Sequence, residues 1–267
     1  MIQITDDLGT LHTFTETPKR IITLVPSLTE TLYELGLEEH IVGVTKFCVH
    51  PYHLKSVKIN VGGTKNVHVE KIKALNPDII IANKEENTLE VVESLKNICP
   101  VFVTDIITIE DTLKTITDFG VIFKRTTDAK KWTEKISYAS SDFNLFMQDK
   151  KWQKAAYLIW REPYMAAGKD TFINEMLKIN KFENIYDSLE GRYPEIEVRK
   201  MRIQGDPELV FLSTEPYPFK EEHAFEIGRA THHAKTVFVD GEMFSWYGTR
   251  LFKSFQYFKS LQNRINE

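Results

Sequence analysis

The chain has 267 residues, 42% of them hydrophobic and 27% charged, a composition that suits one large globular domain or two modest ones with separate cores. Lys and Arg number 34 against 38 Asp and Glu, so the formal charge of -4 lacks the basic excess of a general nucleic-acid binder. Cys48 and Cys99 form no CxxC pair and no disulfide framework; one bridge or two separate thiols are both open.

The N-terminal stretch Met1 to Asp7 shows no basic n-region, no apolar h-region and no lipidated-Cys start, and no apolar run nears the ~20 residues that span a bilayer. The expectation is a soluble protein that stays where it is made, without direct membrane insertion. Residues 2–4 and 11–14 flank Asp7-Leu8-Gly9 and predict a small hairpin. Ile21 to Val25 is a short strand stopped by Pro26. Ser27 and Thr29 are candidate caps for the next helix, with Glu30 placed as in a capping box, and Leu35-Gly36 ends it. Strand 41–44, a glycine loop at Gly62-Gly63, helix 70–75, strand 78–82, helix 89–97 and strand 101–103 then give alternating α/β order with a largely parallel sheet.

From Thr127 to about Gln148 there is no Pro or Gly, and apolar residues recur near helical spacing, which predicts one helix of ~30 Å, a strut between lobes. The α/β pattern then resumes with strand 155–160, helix 171–180, a strand at 209–213, a strand at 236–240 and a closing helix from Leu251. Asp206-Pro207-Glu208 leads into its strand as Asn76-Pro77-Asp78 leads into the earlier one, so the two are read as matching positions in two related lobes. The expected fold is two Rossmann-like α/β lobes, 1–126 and 149–267, with mainly parallel sheets joined by the single helix 127–148.

Several segments resemble a known family. Pro18 to Glu30 (PKRIITLVPSLTE), then Gly43-Val44-Thr45, Pro51, Gly62-Gly63, Glu70 and Leu75-Asn76-Pro77-Asp78 are similar in order and spacing to the cobalamin- and iron-siderophore-type solute-binding proteins of ABC importers. Arg161 to Gly168, with Asp170-Thr171-Phe172, resembles the second-lobe opening of the cobalamin-binding-like branch. The resemblance implies a monomeric two-lobe periplasmic binding protein. It would carry cobalamin or an iron chelate as cargo, with no catalytic cofactor, and deliver it to an ABC permease. Two departures stand against it: the family is exported whereas no signal is read here, and Asn83 replaces an aromatic wall of the cobalamin pocket. The absent signal also leaves a cytoplasmic binding or sensing module open.

In such sheets ligands sit beyond the C-terminal ends of the strands. That rule selects Ser27, Phe47, His50, Gly63 and Asn83 in the first lobe, and Trp160, Tyr164, Tyr217, Phe244, Trp246, Tyr247 and Arg250 in the second. The aromatic members suit a flat, mostly apolar chelate. Arg161, Arg192, Arg199, Arg202 and Arg250 are candidates for ligand carboxylates, with Arg250 the one expected to face the cleft. Cys48, His50 and His53 have Cys-x-His-x-x-His spacing, read either as a metal site or as an exposed turn; no fourth ligand is close in sequence. Acids on each lobe are the expected permease contacts by resemblance: Glu85, Glu86 and Glu90 on the first, Glu215, Glu221 and Glu222 on the second. Leu89 occupies the first docking position itself. No GxSxG, HExxH, Walker A or GxGxxG motif is present, so binding without catalysis is expected and an enzyme acting on a metal chelate is the weaker alternative.

Overall fold

The computed structural model describes residues Met1–Asn266. The chain divides into two compact units. The first comprises Met1–Tyr138 and Tyr247–Phe252; the second comprises Ala139–Trp246 and the chain from Lys253 onward.

The first unit opens with an antiparallel hairpin, β1 (Ile2–Thr5) and β2 (Leu11–Phe14). Asp6 closes its turn: Oδ1 accepts from the Leu8 and Thr10 amides at 3.1 and 2.8 Å, and Oδ2 lies 3.0 Å from His12 Nε2. The α/β body follows as β3 (Ile21–Thr23), α1 (Pro26–Glu34), β4 (Ile41–Val44), α2 (Leu54–Val57), β5 (Ile59–Asn60), α3 (Val69–Ala74), β6 (Ile79–Asn83), α4 (Leu89–Lys96) and β7 (Val101–Thr104). All five body strands run parallel, in the order β5-β4-β3-β6-β7. The central strands β3 and β6 are wholly buried, which is why their sequences are unbroken apolar runs rather than alternating ones.

The start of α1 differs from the expected capping box. Pro26 takes the first helical position, where its missing N–H is no loss, and the cap position falls on Val25, whose side chain cannot accept a hydrogen bond. Ser27 therefore lies inside the helix, and Glu30 is free to bond elsewhere. A second difference is α5 (Ile109–Ile122), absent from the sequence reading. Its capping box is complete: Thr108 Oγ1 accepts from the Asp111 amide at 3.1 Å and Asp111 Oδ2 accepts from the Thr108 amide at 2.9 Å.

A single helix, α6 (Thr126–Met147), carries the chain out of the first unit, the division falling between Tyr138 and Ala139. Its 22 residues span about 33 Å.

The second unit contains β8 (Gln153–Trp160), β9 (Met165–Ala166), α7 (Phe172–Ile179), β10 (Phe182–Asn184), α8 (Met201–Gln204), β11 (Leu209–Ser213), α9 (Glu221–Thr231), β12 (Lys235–Val239), α10 (Gly241–Ser245) and most of α11 (Leu251–Asn266). The parallel strands order as β10-β8-β11-β12, and β9 folds back antiparallel on β8. The fold class expected from sequence, α/β lobes with mainly parallel sheets and a long joining helix, is the one observed.

The two sheets share their wiring. In each, the first strand (β3, β8) pairs with the second on one side and with the strand after a helix–Pro turn (β6, β11) on the other. Asn76 and Asp206, just before those prolines, both have positive φ, 44° and 51°. The acid that follows then ties the foot of the neighbouring strand. Asp78 Oδ2 accepts from the Lys19 and Arg20 amides at 2.7 and 2.9 Å, while its own amide donates to the Arg20 carbonyl. Glu208 Oε1 accepts from the Lys154 amide at 3.1 Å, while its own amide donates to the Lys154 carbonyl.

Candidate functional site

Parallel strands end at one edge of their sheet, so the loops beyond β3 to β7 lie on one end of the first unit. Phe47, after β4, is about half exposed, with Lys46 Nζ 4.9 Å from its ring centroid. The loop after β5 needs its glycines. Gly62 sits at φ +117°, and a Cβ there would meet the Asn66 carbonyl oxygen at 2.5 Å. Gly63 passes beside Phe47 with room only for a van der Waals contact. His50 is half-buried nearby in sequence.

Asn83 ends β6 and is 1% exposed. Its amide nitrogen donates to Thr104 Oγ1 at 3.1 Å, and its Oδ1 accepts from the Glu85 and Glu86 amides at 2.9 and 3.3 Å. It shapes the turn that carries those two acids. Its hydrogen-bonding groups are already engaged, which is why a polar residue tolerates full burial there. Tyr247 returns to this end of the first unit. Its phenol lies near Ser27 and is held well above the ordinary tyrosine pKa, first by burial and then by the nearby charges of Glu86 and Glu85. Four residues singled out from the sequence, Ser27, Glu85, Glu86 and Tyr247, thus meet here.

Arg250, the arginine expected to face the cleft, is buried. Its guanidinium grips Glu30 in a two-point ion pair, Nε to Oε2 at 2.7 Å and Nη2 to Oε1 at 3.0 Å, both side chains being about 95% buried. Next to it, Thr249 donates its amide to Thr31 Oγ1 at 3.2 Å. The pair fastens the returning segment to α1, which accounts for Glu30 leaving the expected capping box.

The Cys-x-His-x-x-His segment does not assemble. The Cys48 thiol is buried between Thr29 Oγ1 (3.0 Å) and Thr45 Oγ1 (3.3 Å), and burial raises its pKa. His53 Nε2 instead meets Glu38 Oε1 at 2.5 Å. No group of three or more His, Cys, Asp or Glu side chains able to hold a metal ion occurs among the described residues. No helix among them is long and apolar enough to cross a membrane.

In the second unit an aromatic ladder stands beyond β8 and β11. Trp160, 41% exposed, meets Tyr217 edge-on with centroids 5.7 Å apart. Tyr217 packs against Phe219 at 4.9 Å, and Phe219 stacks on Tyr164 at 6.4 Å with planes 11° apart. Arg161 braces the ladder: Nε donates to the Tyr164 hydroxyl at 3.2 Å and Nη2 to Glu226 Oε2 at 3.3 Å, while the Tyr164 hydroxyl donates to Glu226 Oε2 at 2.9 Å. Burial pushes the Tyr164 phenol up to about 12. The sequence reading missed Phe219, Glu226 and His223, whose Nδ1 accepts from the Lys220 amide at 2.8 Å. The alternation Pro216-Tyr217-Pro218-Phe219, which sets aromatics two residues apart in extended chain, was the available signal for Phe219.

Phe244 is a core residue. It is 0% exposed and packs on Phe258 at 4.8 Å and Tyr157 at 5.0 Å; as part of α10 it points back over the sheet. Trp246, also buried, donates its indole N–H to Glu215 Oε1 at 3.0 Å. Glu221 and Glu222 are exposed in the first turn of α9, and Glu90 in that of α4, the helices that follow β11 and β6. Hydrogen bonding to its own backbone amide and to Thr88 holds Glu90 below its usual pKa.

Each unit thus carries a mainly parallel α/β sheet with its loops beyond the strand ends, the chain passing between the units along one long helix. Residues 21–234 match the model of the periplasmic binding protein family, and the chain belongs to that family. An ABC transporter substrate-binding lipoprotein of Bacillus subtilis, YvrC, is 25% identical over 256 residues, covering 90% of this chain and 78% of its own length. The vitamin B12-binding protein of Pectobacterium atrosepticum is 24% identical over 248 residues, covering 88% and 85%. A solved structure from Staphylococcus epidermidis, titled a possible iron-binding periplasmic solute-binding protein, superposes with a TM-score of 0.77 at 26% identity, covering 94% of this chain and all of that one.

Proposed function

We propose that the protein captures a metal chelate of the corrinoid, haem or ferric-siderophore class outside the cytoplasmic membrane and hands it to an ABC importer. The observation that carries this reading is the ladder Trp160, Tyr217, Phe219 and Tyr164 at the C-terminal strand ends of the second unit. An exposed indole edge-on to a tyrosine offers a flat, mostly apolar ligand a surface to pack against. Family membership and the B12- and iron-directed relatives support the same class. Phe47, Gly63, His50, Ser27, Trp246 and Tyr247 are proposed as further contacts. The exposed acids Glu90, Glu221 and Glu222, with Glu85 and Glu86, are proposed as the docking contacts for arginines of the permease.

The test is a titration of the purified protein with cyanocobalamin, haemin and a ferric hydroxamate, followed by tryptophan emission. Saturable quenching by one of them, lost in Trp160→Ala, is expected. No saturable change with any of the three would sink the reading.

A further inference from the structure

Glu215 stands in the loop after β11 of the second unit, and the sequence reading counts it among the acids of a docking face. Its surroundings hold it firmly. Ser213, the last residue of β11, accepts from the Tyr157 hydroxyl at 3.2 Å and donates its own hydroxyl to the Glu215 carbonyl at 2.5 Å. Gly241 passes so close that a Cβ there would lie 2.6 Å from Glu215 Cγ. The carboxylate then reaches α10, where the single oxygen Oε1 accepts from both Ser245 Oγ and Trp246 Nε1, each at 3.0 Å. Trp246 is the last residue of the second unit before the chain enters the first.

We propose that Glu215 is the positioning residue for Trp246, fixing the indole through a charged hydrogen bond so that ligand capture depends on the ionisation of this one carboxylate. The inference rests on the reading of Trp246 as a ligand contact.

The electrostatic setting gives the group a reason to titrate. Glu215, Asp240 and Glu242 line an open cavity of about 580 Å³ together with Tyr257 and Arg264 of α11. Arg264 is the one cation in that lining, and its guanidinium already donates to the Phe238 carbonyl at 3.0 Å. Tyr257 accepts from the Asp240 amide at 2.9 Å, and Tyr157 approaches from β8. Burial, then repulsion from Glu242 and Asp240, raises the Glu215 pKa, against the lowering effect of Ser245 and Trp246. As pH falls the carboxylate takes a proton, its bond to the indole loses its charge-assisted strength, and the indole is held less firmly.

The experiment has two arms. In ligand-free protein, Trp246 emission should follow a single ionisation above pH 4.5. The transition should vanish in Glu215→Gln and in Trp246→Phe, with circular dichroism confirming that both variants fold. In the second arm, cyanocobalamin, haemin and a ferric hydroxamate are titrated from pH 4.5 to 8. Wild-type affinity for the bound probe should rise with pH by about fivefold. Glu215→Gln should stay flat at the low-pH wild-type value, because a neutral acceptor mimics the protonated acid. A merely structural glutamate would not make the neutral variant copy one end of the wild-type pH profile. Persistence of the emission transition in Glu215→Gln, or an unchanged pH profile of affinity in that variant, overturns the proposal. Failure of all three probes to bind wild-type protein would instead refute the ligand reading, and the first arm still decides whether Glu215 positions Trp246.

Discussion

The two units differ least at the feet of their strands and most at the heads. At the feet, Asp78 and Glu208 tie neighbouring strands with the same backbone exchange, after Asn76 and Asp206 in the same uncommon conformation. At the heads, the first unit offers small and polar residues around the turn of Asn83, while the second offers the ladder from Trp160 to Tyr164. The feet fix strand register, a requirement common to any such sheet. The heads carry no register, so they are free to diverge.

The sharpest way to break this contrast is to compare two aromatics of the second unit. Phe244→Ala should cost about 3–5 kcal/mol in urea unfolding, since its ring fills the core. Trp160→Ala should stay within about 0.5 kcal/mol of wild type in the same assay and lose ligand quenching instead. Of similar size is the ion pair of the first unit. Arg250→Met or Glu30→Gln alone should cost about 3–5 kcal/mol by stranding a buried partner, and the double variant should recover much of that loss. A double-mutant cycle checks it; additive losses would mean that the two groups do not act as a pair.

The feet predict smaller effects. Asp78→Ala should cost about 1–2 kcal/mol and Glu208→Ala roughly half as much, because the first serves two backbone amides and the second one. Equal losses would break the comparison. The smallest effect is a pH dependence. A carboxyl whose folded pKa is raised favours the fold below its unfolded value near 4.5 and loses that contribution as pH rises through the folded value. Glu215→Gln should therefore gain stability relative to wild type between pH 4 and pH 8, measured as a widening gap in urea midpoints. A gap that narrows with rising pH would reverse the sign.

Much of the frame was legible before any coordinates. Unbroken apolar runs at 79–82 and 209–212 announced strands covered on both faces, the stretch from Thr127 lacked helix breakers, and the matching Pro turns announced related lobes. The helix at 109–122 was missed although Thr108 and Asp111 spell its cap, because a Thr-rich amphipathic stretch gives a weak apolar rhythm. The site was read less well. Phe244 and Arg250 carry the residue types of a ligand wall, yet one fills a core and the other neutralises Glu30, a residue 220 positions away. Sequence spacing does not report such distant partners.

The sequence by itself determined the α/β order and the long helix, because hydrophobic period, proline and glycine act locally. Only the tertiary structure decided which polar and aromatic side chains at the strand ends are already engaged. That depends on partners brought together by the fold: Glu30 with Arg250, Asn83 with Thr104, and Glu215 with Trp246.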